Sequence, residues 1–185
     1  KKTLFSKLQK NWIKMAVYTK ISKKDISYIN KKFEVDKILN FKGIKQGIEN
    51  TNYLLRSKNK KFILTIFEKR VSKKEIPFFM KLMDQLNDSE INCPKPLKNK
   101  SGNYLIRIRN KIACIVSFLN GKDKKILNLK NCYDIGKMIA QMHLSSKKIN
   151  LYRKNSMGIK NLNPLFSSIK FKSKKFTNIE KFLKL

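Results

Sequence analysis

Apolar residues recur along this chain with two different spacings, and each change of spacing marks a new element. Ser22 followed by Asp25 resembles a capping box, and Ile26, Ile29 and Phe33 then repeat at helical intervals, predicting a short helix. From Leu39 the period drops to two. Leu39–Ile44, Asn52–Arg56 and Phe62–Phe67 read as three strands of an antiparallel meander, with the polar run Ser57–Lys61 as a hairpin connection. Ser72 and Glu75 form a second capping-box pattern, ahead of the broad apolar face Ile76, Phe79, Met80, Leu82, Met83 and Leu86, and Pro77 keeps the helix start nearby. Cys93-Pro94-Lys95-Pro96 is an extended connector, after which Tyr104–Arg109 and Ile112–Phe118 flank a turn at Arg109-Asn110-Lys111. Past Asn120-Gly121 the strand signals stop. Ile135, Met138, Ile139 and Met142 follow i, i+3, i+4, i+7 spacing, so the second region is helical, and Thr177 with Glu180 announces one more helix near the end. Five strands with one helix inserted after the third make a small α+β unit.

Composition changes this picture little. The 185 residues carry 44 Lys+Arg against 12 Asp+Glu, a net +32 that first suggests a nucleic-acid or membrane partner. Of the 44 cations 39 are Lys and 5 are Arg, and Arg is the residue that reads bases and clamps phosphates in two-pronged fashion. The excess therefore reads as solvated surface, including the lysine clusters at 122–125, 147–148 and 170–175. The longest apolar run, Ile112–Leu119, is far below the ~20 residues a bilayer-spanning helix needs. No secretory h-region is visible, and Cys93, Cys114 and Cys132 lack C-x-x-C spacing, so a reduced, cytoplasmic protein with neither zinc nor a membrane partner is expected.

Two stretches carry candidate chemistry. Gly43–Tyr53 is a turn rich in glycine and amide side chains between two strands, and such a turn can bring free N–H groups and Asn donors against phosphate oxygens. It fits neither common phosphate-loop pattern, and taken alone an ordinary hairpin turn is the simpler reading. The strand Ile112–Leu119 runs into Asn120-Gly121 and then into helix, a junction where backbone groups can meet a ligand, or a core strand that simply ends. His143 closes an apolar helix with no acidic partner motif, so it is read as structural, and the Met and Phe residues on helical faces are read as core.

Taken in order, these stretches are a resemblance. Phe41-Lys42-Gly43-Ile44 with Gly47–Tyr53, Phe62–Arg70, Pro77-Phe78-Phe79, Cys93–Pro96, Ile115–Gly121, Met142-His143 and Arg153-Lys154-Asn155 resemble the homoserine kinases of the aminoglycoside phosphotransferase-like superfamily, whose fold is similar to that of protein kinases. The likeness runs over about residues 15–168. It implies ATP and L-homoserine as small-molecule substrates, transfer of the γ-phosphoryl group to the side-chain hydroxyl, and Mg²⁺ as the metal. It also implies that Gly47, Asn50 and Asn52 cover the phosphates and that Ser117, Phe118 and Leu119 form an adenine-binding hinge. Residues 1–14 are then an upstream extension, 15–119 a nucleotide-binding lobe, and 120–185 the hinge and an incomplete helical lobe. Two departures follow. Ile63-Leu64-Thr65 lacks the lysine that protein kinases carry on this strand, and Phe79 stands near where its glutamate partner is expected, which leaves Lys69 as the candidate phosphate-anchoring cation. The loop H-x-D-x-x-x-x-N does not occur, because Leu144-Ser145 follows the sole histidine. A C-terminally truncated kinase is therefore expected, without turnover alone and with an exposed apolar patch where Ile135, Met138, Ile139 and Met142 lack their partners. Another small-molecule kinase of the superfamily and a basic nucleic-acid-binding protein are the competing readings.

Overall fold

The computed structural model describes residues 17–47, 49–68, 72–155 and 158–168. Lys69, residues 1–14, the lysines of 170–175 and the Thr177/Glu180 pattern lie outside the described residues. The described residues fall into two compact units divided between Leu151 and Tyr152.

The first unit is built on a sheet. Helix α1 (Lys23–Lys32) starts at Ser22, whose N–H donates to Asp25 Oδ2 at 2.7 Å, as the capping-box pattern predicts. Strands β1 (Asn40–Gly43), β2 (Thr51–Arg56) and β3 (Lys61–Ile66) form the meander, and β4 (Leu105–Ile108) and β5 (Lys111–Ser117) complete it. The order is β1-β2-β3-β5-β4, with every pairing antiparallel. Arg109 and Asn110 both adopt positive φ, 50° and 60°, the geometry of a tight two-residue hairpin turn whose twist matches its strands.

One face of the sheet packs on α1. Ile26, Ile29 and Phe33 meet Tyr53, Leu55, Phe62, Leu64, Ile66, Ile108 and Ile115, all buried. Helix α2 (Ile76–Asp88) covers part of the opposite face, where Ile76 and Met80 pack with Cys114 and Val116. Burial in this setting pushes the Cys114 thiol up to about 12, so it stays protonated and acts as a small apolar group. The Ser72/Glu75 capping box does not form. Glu75 is itself the N-cap, its N–H donating to Ser72 O at 2.9 Å, and Pro77 in the first turn removes a donor that a cap would have satisfied.

Helix α3 (Leu129–Ser146) is capped by Asn128, whose Oδ1 accepts from Asn131 N at 2.9 Å. Its apolar stripe is not core. Ile135, Met138, Ile139 and Met142 are 43, 48, 42 and 38% exposed, and His143 is exposed as well. The expectation that helical methionines are core therefore holds for Met80 and fails for Met138 and Met142, because the main neighbour of α3 among the described residues is α2 alone. The second unit contains helix α4 (Ile159–Ser168), with Pro164 inside it.

Candidate functional site

Strand alternation divides β2 and β3 into two sets of side chains. Thr51, Tyr53 and Leu55, with Phe62, Leu64 and Ile66, are buried, whereas Asn52, Leu54, Ile63 and Thr65 are half-buried on the other face. The register sets Asn52 opposite Thr65 and Leu54 opposite Ile63. The α2 cluster takes in Ile63 of β3 as well as residues of β4 and β5, whereas Asn52, Thr65 and Leu54 stand outside it, so the strip keeps its polar end and the Leu54 side chain open.

The polar end meets the glycine loop. Ile44 N donates to Asn52 O at 2.9 Å, closing a hairpin whose loop contains Gly47 at φ +106°. That conformation is strained for any residue with a Cβ. Thr65 Oγ1 donates to Asn52 Oδ1 at 2.8 Å, which turns the Asn52 amide nitrogen toward the loop, 3.8 Å from where a Cβ on Gly47 would stand. Gly47 and Asn52 are thus brought together, with amide donors at the open polar end of the strip. Asn50 does something else: its Oδ1 accepts from Glu68 N at 3.3 Å, tying the loop to the end of β3.

At the end of β5 the three predicted hinge residues differ. Ser117 N donates to Lys95 O and Ser117 Oγ accepts from Lys95 N, both at 2.8 Å. Phe118 N donates to Lys61 O at 3.3 Å, and the Lys61 ammonium lies 5.5 Å from the Phe118 ring centre. Leu119 is 41% exposed, and its backbone groups have no partner among the described residues. Of the three, Leu119 has the backbone N–H and C=O available for a ligand edge.

The sequence reading missed a partly buried polar cluster behind this strip. Glu68 accepts from Thr19 Oγ1 and Thr51 Oγ1, each at 2.7 Å, and pairs with Lys111 Nζ. Thr51 Oγ1 also accepts from Tyr18 N at 2.9 Å and Thr19 N at 3.1 Å. Burial pushes the Glu68 carboxyl up, but the hydrogen bonds from Lys111, Thr19 and Thr51 and the lysine charge together outweigh it and hold it below its ordinary value. A signal existed. Thr51 is in phase with the buried residues of β2, and Glu68 continues the phase of Phe62, Leu64 and Ile66 just past the end of β3, where a polar group needs a partner. Lys111 lies on the same side of the sheet as Ala113 and Ile115, away from Asn52 and Thr65, and its charge is already paired.

No cluster of three His, Cys, Asp or Glu side chains able to hold a metal occurs among the described residues. No helix of the described residues is long and apolar enough to cross a membrane.

The model of the phosphotransferase enzyme family matches residues 40–158, a stretch that holds the glycine loop, the open strip and the end of β5. The chain belongs to this family. Among curated proteins this phosphotransferase chain is 36% identical over 154 residues to a homoserine kinase of Parvibaculum lavamentivorans, covering 83% of this chain and 48% of that protein. It is 37% identical over 156 residues to a homoserine kinase of Paramagnetospirillum magneticum, covering 84% and 48%. It spans about half the length of the curated relatives it matches. Among solved structures, spectinomycin phosphotransferase in complex with ADP and spectinomycin superposes with a TM-score of 0.58 at 15% identity, covering 87% of this chain and 52% of that one. An amicoumacin kinase superposes at 0.63 with 14% identity, covering 82% and 48%. The α+β, kinase-like fold expected for this phosphotransferase is the one observed.

Proposed function

We propose that this chain is the nucleotide-binding part of a homoserine kinase, transferring the γ-phosphoryl group of ATP to L-homoserine. The observation that carries the reading is the half-open strip of β2 and β3, which ends at Gly47 and Asn52 on one side and lies in the same sheet face as the end of β5. Leu54 and Ile63 supply apolar surface for an adenine ring, and the free backbone groups of Leu119 supply partners for its edge. Gly47 and the Asn52 amide face the phosphates, Asn50 holds their loop in place, and Ser117 and Phe118 hold the strand end from which Leu119 projects. Lys69, two residues past the start of the connector after β3, is the proposed anchoring cation. Residues 15–119 form the nucleotide lobe and 120–185 the hinge and part of a helical lobe.

Phosphoryl transfer depends on positioning and charge neutralisation more than on covalent chemistry. These residues do the first task only. The sequence has no H-x-D-x-x-x-x-N, the loop whose aspartate would orient the homoserine hydroxyl, and no cluster of three metal-binding side chains occurs among the described residues. The homoserine assignment is supported by relatives at 36 and 37% identity, whereas the kinases of known structure with other substrates are far more distant in sequence. Titration calorimetry of the chain with ATP and with adenosine tests the reading, together with a phosphorus-NMR assay for O-phosphohomoserine. Saturable ATP binding without product is expected. Product from these 185 residues, or no binding of either ligand, sinks the corresponding half of the proposal.

A further inference from the structure

The tip of the loop that would cover the phosphates stands in solvent. Lys45, Gln46 and Gly47 are exposed and lie outside the two strands that the loop joins. Its return end, however, is fixed twice by one residue: Glu68 donates its backbone N–H to Asn50 Oδ1 and accepts from Thr51 Oγ1 at its carboxylate. Thr51 and Asn52 are neighbours on one strand, so they point to opposite faces. Thr51 faces Glu68, and Asn52 faces Gly47. Fixing the first therefore fixes the direction of the second. Lys111 pairs with the Glu68 carboxylate and offsets part of the cost of drawing that charge away from water.

We propose that Glu68 is a positioning residue for nucleotide phosphates, setting the glycine loop and the Asn52 amide from the buried side of the sheet through Asn50 and Thr51. The inference rests on the nucleotide reading above. Glu68 itself touches no ligand, since its side chain lies on the face packed against α1. Its effect is preorganisation: a donor displaced by about an ångström loses most of its value to a phosphate oxygen.

The test compares ATP with adenosine in calorimetry on the whole chain. Glu68→Gln keeps the shape and removes the charge-assisted bonds, so ATP affinity is expected to fall about tenfold. Adenosine, which lacks phosphates, is expected to bind Glu68→Gln within about twofold of wild type. A loss shared equally by both ligands, or by neither, overturns the inference. Thr51→Val and Thr51→Ser supply the same test if Glu68→Gln fails to fold: the valine variant should lose ATP affinity selectively and the serine variant should restore it. Equal ATP binding by the two Thr51 variants overturns the inference. A wild-type chain that binds neither ATP nor adenosine overturns the nucleotide reading, and this inference with it.

Discussion

Glu68 and Gly47 are both single residues on which the loop depends, but only one of them is readable as such from the sequence. Gly47 sits in a turn between two strand patterns, and its φ of +106° is a conformation that few other residues adopt. Gly47→Ala should therefore weaken ATP binding, because the exposed loop escapes a strain of about 1–3 kcal/mol by leaving the conformation the site uses, with little change in the melting temperature because no core contact is lost. Parallel calorimetry and thermal unfolding check this; a large fall in melting temperature would place Gly47 in the fold instead of the site. The phase of Glu68 hints that it needs a partner, but the partners were not legible because Thr19, Thr51 and Lys111 lie 49, 17 and 43 residues away. Only the topology brings them together. The carboxyl is held below its ordinary value of 4.5, and the sign of the pH effect follows from that. A depressed acid in the folded state contributes stability that is present above pH 4.5 and is lost as pH falls through the lower folded value. Glu68→Gln should thus have a shallower loss of stability than wild type on acidification below pH 4.5. Identical acid profiles would mean that the ion pair with Lys111 does not set the titration.

At the scale of elements, alternation and helical spacing located all five strands and the helices α1, α2 and α3, because burial on one face imposes a period that survives in the sequence. The register and the open half of the sheet were not legible, since they depend on where α2 lands. Helix starts were mixed. Ser22 and Asp25 form the expected box, whereas the Ser72 pattern is displaced by Glu75 and Pro77, and the Asn128–Asn131 pair that caps α3 went unnoticed because its third residue is Asn and not Glu or Gln. Helix α3 buries none of its residues, so local terms matter more to it than to α2. Asn128→Ala should cost about 1 kcal/mol and speed amide exchange within α3, while the sheet amides keep their protection. Uniform change across sheet and helix would show that α3 unfolds only with the rest.

For the whole molecule, two features pull in opposite directions. The net charge of +32 opposes self-association, while the apolar stripe of Ile135, Met138, Ile139 and Met142 on α3 favours it. Salt decides between them, because the screening length shrinks from about 10 Å at 0.1 M to about 3 Å at 1 M ionic strength while apolar contact is not screened. The chain should therefore associate more as salt rises, and sedimentation velocity at 0.1 and 1 M salt reads this directly. Replacing Ile135 and Met142 by Lys should keep it monodisperse at both concentrations, since the substitutions break the stripe without touching the sheet. The same titration bears on the nucleic-acid reading that the charge first suggested. Binding driven by 39 lysines on phosphates must weaken steeply with salt, whereas ATP held by Gly47, Asn52 and Leu119 should respond far less. A chain that stays monomeric at 1 M salt and releases RNA and ATP with the same steep slope would leave its positive charge, and not the open face of the sheet, as the feature that binds.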